Sequence, residues 1–354
     1  MFGLGRQEIV GVDIGSFSVK VVQLRRTSAH WIVTNAGIVD ISHKGAESPA
    51  HRETNCARAL LNCVRLSGAK RSLAVCGVGG QEVAVRNFEF PAVPPGEIDR
   101  AVELEAKQVC PFNASDIVAD YHLIPAPAGK PNGKGKTSGY LVVAAGPLVK
   151  YKNRLARKGK LDCVLMDADA LALLNCFKEL EKPSDNHGVA ILNIGHIETT
   201  VAVEGNGGWP FVRSLNYAGD SIIRSIAAEN DATPDAVRAA FAGDPKDLPH
   251  AMRESFERAC ERLIGDITKT VRYYGAQEGA FVISKVLVCG GFSLFGDVAK
   301  LLGKKLPMEV TLWNPFEKMR LQVAHSHRGA LLKNVLRRSG PSLAVAAGLA
   351  MRTI

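Results

Sequence analysis

The sequence predicts an α/β protein of two similar halves facing one another across a cleft, and three observations carry that expectation. A short phrase occurs twice, about half the chain apart. It reads Val10-Gly11-Val12-Asp13-Ile14-Gly15-Ser16-Phe17-Ser18-Val19-Lys20 near the start and Val189-Ala190-Ile191-Leu192-Asn193-Ile194-Gly195-His196-Ile197-Glu198-Thr199-Thr200 in the middle. Each copy is an apolar strand ending near an Asp or Asn, then a Gly-containing turn, then a second strand. Such a hairpin can wrap its backbone N–H groups around a phosphate, with Gly permitting close approach. A third run, Val286-Leu-Val-Cys-Gly-Gly-Phe-Ser293, sets paired glycines after a strand and before a helix. Together they suggest a duplicated domain with a nucleotide between its halves.

The expected elements follow in order. Residues 8–14 and 19–25 read as paired strands, continued by segments at 31–34 and 37–41. A helix over 54–66 is carried by Ala57, Leu60, Leu61 and Val64 at helical spacing. Strands are expected at 71–77 and 82–90. Pro94-Pro95-Gly96-Glu97 opens a charged helix through Cys110, and Pro111 stops it. Strands at 117–124 and 139–145 flank a polar loop. The stretch 84–160 reads as an inserted subdomain of the first half, which spans 1–186. A strand at 162–167 and a helix over 168–180 return the chain to the core. The second half, 187–354, opens on the second hairpin and carries a helical subdomain at about 218–276. A strand at 285–289, a helix over 295–305 and an Ala-rich helix over 341–351 complete it.

Length and composition bound the function. A chain of 354 residues accommodates two ordinary domains, and 46% hydrophobic with 22% charged residues is the balance of a globular protein. Its apolar runs are too short to span a bilayer, and the first strand begins too early to leave room for a signal peptide. The eight cysteines are scattered without a C-x-x-C, which argues for a reducing cytoplasm over a disulfide framework or zinc site. The net charge of +9 draws on the basic stretch Lys150-Tyr-Lys-Asn-Arg-Leu-Ala-Arg-Lys-Gly-Lys160. That stretch reads as a solvated helix face, or else as a surface attracted to anionic lipid. It lacks the interleaved aromatics of a nucleic-acid binder.

Chemistry concentrates in the hairpins. Asp13 offers an oxygen suited to Mg²⁺ or its waters. Gly15, Ser16 and Phe17 offer backbone N–H groups, Ser16 or Ser18 a hydroxyl, and Lys20 a cation for a phosphate chain. Asn193, Gly195, Thr199 and Thr200 stand in matching places in the second copy, and Gly290, Gly291 and Phe292 suit the adenosine side. A decoy lies at Gly135-Lys136-Thr137, with Gly129 upstream. It resembles the end of a P-loop but has the wrong glycine spacing and leads into a strand, so it reads as a loop.

The three elements resemble the phosphate-1, phosphate-2 and adenosine motifs of the actin-like ATPase superfamily, which includes actin, Hsp70, sugar kinases and FtsA. The chain is further similar to the PilM family of type IV pilus assembly proteins. That likeness rests on the opening hairpin, Phe90-Pro91, Glu103-Leu-Glu-Ala106, Cys110-Pro-Phe112, Asp120-Tyr121, Ala218-Gly219-Asp220, the Gly290-Gly291 run, Asn314-Pro-Phe316 and Ala347-Gly-Leu-Ala-Met-Arg352. The resemblance implies two actin-like (ribonuclease H-like) halves with an FtsA/PilM-type inserted subdomain, ATP and Mg²⁺ in the cleft, and Gly219 and Asp220 among the nucleotide contacts. It also implies a cytoplasmic scaffold at the inner face of the bacterial inner membrane. Its partner would be the N-terminal cytoplasmic tail of a PilN-like membrane protein, held in a groove near Val109, Pro111 and Phe112.

Departures from the pattern narrow the expectation. Asn193 stands where a carboxylate is usual, weakening metal binding and water activation. Phe17 is bulky for a phosphate turn. The adenine-binding helix is represented by Asp235 and Arg238, which read equally well as a solvated helical pair. The expectation is therefore an ATP-responsive scaffold with slow or absent hydrolysis. Two alternatives remain: a sugar-kinase-like phosphotransferase using Asp167 or Asp169 as base, and an FtsA-like filament protein. His325-Ser-His327 reads as surface rather than as a metal site.

Overall fold

The computed structural model describes residues 8–43, 48–69, 73–112, 116–124, 135–181, 187–205, 208–244, 246–322 and 327–353. The first half begins with β1 (Ile9–Ile14), β2 (Ser18–Arg26) and β3 (Trp31–Asp40), then α1 (Pro49–Ser67) and β4 (Leu73–Val78). Next come β5 (Val83–Pro91), α2 (Ile98–Val109), β6 (Ile117–Leu123) and β7 (Lys136–Ala145). The half closes with α3 (Gly146–Lys158), β8 (Asp162–Ala168) and α4 (Asp169–Leu180). The second half runs through β9 (Gly188–Ile194), β10 (Thr199–Glu204), β11 (Pro210–Leu215), α5 (Gly219–Glu229), α6 (Pro234–Ala242) and α7 (His250–Gly275). β12 (Ile283–Cys289), α8 (Val298–Lys305) and β13 (Glu309–Leu312) follow. β14 (Arg320–Leu321), α9 (His327–Ser339) and α10 (Ala344–Ala350) then return to the first half, with β14 paired to β3 and α10 packed on β1, so the C-terminal elements depart from the expected second half, 187–354.

The duplication expected from the hairpins extends to the sheets. In the first, β3-β2-β1-β4-β8 lie side by side, and in the second, β11-β10-β9-β12-β13. Each has an antiparallel three-strand meander followed by two parallel strands. The short strand β14 crosses back from the second half to the free edge of β3.

Both faces of each sheet are covered, so the strands read as nearly continuous apolar runs. One face of the first sheet, with Val10, Val12, Val19 and Val21, packs with Cys56, Leu60 and Cys63 of α1. One face of the second, with Leu192, Val201, Val203 and Val286, packs on Ile222, Leu263 and Val298 from α5, α7 and α8. Between the sheets lie α4 and α10, where Leu173, Phe177, Ala346 and Leu349 join Val22, Leu24, Ile191 and Leu287 in one core. Gly348 makes this layer thin: a Cβ there would lie 1.9 Å from the Ala172 carbonyl oxygen.

Two details differ from the sequence reading. The segments at 31–34 and 37–41 form one strand, because the intervening Asn35 donates to Oε1 of the buried Gln23 on the neighbouring strand at 2.6 Å. The expected insertion, 84–160, includes α3, yet Leu155 and Ala156 of that helix are buried in the core of the first half. The third sheet, β5-β7-β6, ends at Ala145 and has its own core of Phe88, Val102, Ala106, Leu141 and Val143. Six cations along the basic stretch mask the narrow apolar stripe that ties α3 inward.

Candidate functional site

The two hairpins close with the same backbone bond. Gly15 N–H donates to the Ser18 carbonyl at 3.1 Å, and Gly195 N–H to the Glu198 carbonyl at 2.9 Å. Asp13 therefore corresponds to Asn193, Phe17 to Ile197 and Lys20 to Thr200. Cross-strand pairing brings Asp13 and Lys20 to one face, where Lys20 Nζ meets Asp13 Oδ2 at 2.9 Å with both residues buried. The second hairpin carries no such pair. Its Thr199 hydroxyl is committed to the Tyr217 carbonyl at 2.9 Å, and the Thr200 hydroxyl faces Glu198 at 3.4 Å. Ser16 lies in the first turn, and Ser18 is buried at the start of β2.

A second carboxyl group reaches the Asp13 corner from a different element. Asp169 begins α4 directly beyond β8, and its Oδ1 is buried with no hydrogen-bond partner among the described residues. The loop after β4 wraps it closely: a Cβ on Gly77 would lie 2.2 Å from Oδ1, and one on Gly79 2.4 Å from Oδ2. Burial, followed by the neighbouring Asp13 charge, pushes the Asp169 carboxyl up to about 7. An ionisable group buried without a partner, next to a like charge, opposes folding, and such groups concentrate where chemistry needs them. Lys152 of α3 also reaches this corner and donates to the Ile14 carbonyl, so one cation of the basic helix serves the cleft. Sequence reasoning assigned Asp169 to a different reaction and Lys152 to solvent. The signal available was the Asp-Ala-Asp at a strand-to-helix junction.

Whether this corner suits Mg²⁺ can be judged from its donors. Among the described residues no three His, Cys, Asp or Glu side chains are arranged as a metal cage. Mg²⁺ does not require one, since it keeps several waters and takes one or two carboxylates with ligand phosphates. Asp13 and the orphaned oxygen of Asp169 fit that requirement. Asn193 contributes an amide oxygen packed against Gly290.

The remaining predicted residues line the second half. Gly219 N–H donates to the Gly195 carbonyl at 3.2 Å and Asp220 N–H to the His196 carbonyl at 2.7 Å, tying the start of α5 to the second turn. Asp220 faces Arg224 at 2.6 Å, Arg238 at 3.6 Å and His196 at 3.7 Å. Arg238 also meets Asp235 at 3.0 Å, but the Asp235 side chain is 95% exposed. Gly291 follows Gly290 at the start of a short 3-10 turn, whereas the Phe292 ring is buried against Gly219 and Phe295 and its carbonyl accepts from the Phe295 N–H at 3.0 Å. Gly290 has φ +96°, and a Cβ there would lie 2.4 Å from Asn193 Oδ1 and 2.5 Å from the Ile194 carbonyl oxygen. Gly290→Ala is expected to cost about 2–4 kcal/mol, read as a lowered denaturant midpoint with unchanged slope.

Away from the cleft, Val109 and Phe112 pack partly into the core of the insertion and Pro111 is exposed. Lys136 and Thr137 belong to β7 rather than to the expected loop, because the strand begins three residues earlier than the apolar run alone indicates, while Gly129 lies outside the described residues. His325 also lies outside them, and α9 begins at His327. Asp167 is buried beside Arg352, with Oδ2 3.2 Å from Nε.

Duplicated sheets joined through a thin helical layer, with facing phosphate-type turns, define an actin-like fold. Solved structures of that fold agree. The chain matches ethanolamine utilization protein EutJ from Carboxydothermus hydrogenoformans at TM-score 0.54 and 11% identity, over 97% of this chain and 88% of that one. It matches the nucleotide-free diol dehydratase-reactivating factor at TM-score 0.52 and 12% identity, over 97% and 99%. A much higher TM-score, 0.80, is found with the PilM–PilN type IV pilus biogenesis complex, at 20% identity over 98% of each chain. The family profile of type IV pilus assembly protein PilM matches residues 11–354. The chain belongs to the PilM family of type IV pilus assembly proteins. Membership favours the assembly role over the sugar-kinase and FtsA-like filament readings.

Proposed function

We propose that this protein is a nucleotide-binding scaffold of a type IV pilus assembly platform. It takes ATP with Mg²⁺ between its two hairpins and the cytoplasmic tail of a PilN-like membrane protein beside its insertion, at the inner face of the inner membrane. The observation that carries the nucleotide half is the Asp169 carboxyl group, buried beside Asp13 and Lys20, with an Oδ1 that has no hydrogen-bond partner among the described residues. The partner half is supported by family membership and by the likeness to the PilM–PilN complex. Among the described residues no helix is long and apolar enough to cross a membrane.

Within the cleft, the N–H groups of Ser16, Phe17 and the second turn would bind phosphate oxygens, and Lys20 would offset their charge. Asp13 and Asp169 would hold the metal, which neutralises phosphate charge when bound. Turnover is expected to be slow. Asn193 has no charge with which to orient a water, and the Asp13 carboxylate is already engaged by Lys20. Val109, Pro111 and Phe112 are retained as candidates for the edge of the partner groove, with Pro111 presenting the open surface.

The test uses a labelled peptide of the PilN-like cytoplasmic tail from the same organism. Saturable binding measured by fluorescence anisotropy, with phosphate release far below the roughly 10 per second of ordinary enzymes, is the expected result. No binding to the peptide at any protein concentration would overturn the partner assignment. Turnover at ordinary enzyme rates would overturn the scaffold assignment.

A further inference from the structure

The two phosphate turns touch each other directly, through residues that depart from what a phosphate turn needs. Phe17, at the tip of the first, places its ring centroid 4.9 Å from that of His196 in the second and 5.5 Å from that of His43. Such separations are direct ring contacts. The Arg238 guanidinium carbon lies 5.6 Å from the Phe17 centroid, within cation–π range. Arg238 and His196 are themselves held by Asp220, at 3.6 and 3.7 Å. Burial holds the His196 imidazole below its ordinary range, so at neutral pH it meets Phe17 as an uncharged ring. On the other flank of the same turn, Glu198 reaches the backbone N–H of Gly80, beyond β4.

Phe17, His43 and Gly80 belong to the first half; His196, Glu198, Asp220 and Arg238 belong to the second. The contacts therefore bridge the cleft at the tips of the two turns. A small side chain at position 17 would leave the gap between the turns open, whereas the ring fills it. The packing is specific to a pair of positions: the second turn's counterpart of Phe17 is Ile197, which is 60% exposed and makes no equivalent stack.

We propose that Phe17, His196 and Arg238 form a cross-cleft latch that holds the two halves closed without nucleotide and that must release before phosphates can enter between the turns. The closure element stands on the contacts alone; the competition element rests on the nucleotide reading given above. Such a latch lowers apparent ATP affinity by the fraction of molecules that are latched.

Two measurements on Phe17→Ser, which retains the turn N–H, and on Phe17→Leu, which keeps apolar bulk but loses the ring stack, separate these elements. Circular dichroism melting establishes that each variant is folded, and Phe17→Leu carries the test if the serine variant does not fold. Small-angle scattering of nucleotide-free protein is expected to show a larger radius of gyration in the variants than in the wild type. Superimposable curves would overturn the latch. Calorimetric titration with ATP and Mg²⁺ is expected to give a dissociation constant roughly five- to tenfold lower in the variants, the range expected for losing one stacked contact. Opening with unchanged ATP affinity would overturn the competition element. Opening with no ATP binding by any of the proteins would retain closure and refute the nucleotide reading.

Discussion

Asp169→Asn is expected to stabilise the nucleotide-free protein at pH 7.5 while weakening its Mg²⁺-dependent binding of ATP. The substitution keeps the shape of a side chain whose oxygens are enclosed by Gly77 and Gly79, and removes an ionisable group that lacks a hydrogen-bond partner at Oδ1. The gain is expected to be about 1–3 kcal/mol at neutral pH. The pH dependence fixes the sign. Folding raises this carboxyl from its ordinary 3.8 to about 7, so between those values the native state binds the proton that the unfolded state has released. Its contribution to stability is thus fully present below the lower value and is lost as pH rises towards the upper one. Burial raises Glu198 and Asp167 in the same direction, so the diagnostic quantity is the difference between wild type and Asp169→Asn. Chemical denaturation in EDTA from pH 4 to 8 should show that difference growing with pH and levelling above about 7. In parallel, ATP affinity of the variant with Mg²⁺ should fall towards the value in EDTA. A variant equal to wild type in both respects would remove Asp169 from the site.

Gly348→Val is expected to abolish the folded state rather than alter a function. A Cβ at this position would sit 1.9 Å from the Ala172 carbonyl oxygen and 2.5 Å from its carbonyl carbon, both backbone atoms of α4. Neither helix can retreat easily. The outer sides of α4 and α10 pack into the two sheets, with Leu173, Phe177, Ala346 and Leu349 all buried in the shared core. Asn175 of α4 also donates to the Gly348 carbonyl at 3.3 Å. Separating the helices would open that core along its length, at a cost of at least about 4 kcal/mol out of a typical total of 5–15. The expected outcome is loss of soluble protein on expression, or a thermal midpoint far below that of wild type. Gly303→Ala in α8 provides a contrast, since its nearest neighbour would be Val310 Cβ at 3.7 Å, an ordinary contact. That variant should melt close to wild type.

The legible parts of this fold were those encoded locally. Each hairpin is defined by a few consecutive residues whose turn chemistry is intrinsic, which is why the repeat led to the doubled sheet order. Strands buried on both faces were visible as unbroken apolar runs. What escaped depended on approach from elsewhere in the chain. Asp169 at a helix start looks like ordinary dipole compensation until the Gly77–Gly79 loop encloses it and Asp13 faces it. Lys152 was indistinguishable from its five neighbouring cations until its ammonium met the Ile14 carbonyl. Likewise, the bulk of Phe17 was evident in the sequence, whereas its contact with His196 exists only because the halves close on one another.

These corrections change the meaning of Asn193. Loss of a carboxylate from the second hairpin suggested an impaired metal site, but Asp169 sets a carboxylate beside Asp13 from a different element. The corner around Asp13 thus combines two carboxyl groups, Asp13 and Asp169, with two lysines, Lys20 and Lys152, while position 193 carries no charge. That combination fits binding better than hydrolysis.

The most direct test of this account is calorimetric titration of the wild-type protein with ATP, with Mg²⁺ and then in EDTA, and with Lys20→Ala in parallel. One saturable site per chain is expected, tighter with Mg²⁺ than without, and at least about tenfold weaker in Lys20→Ala. Absence of saturable ATP binding by the wild type up to millimolar concentration, in protein shown to be folded, would contradict it.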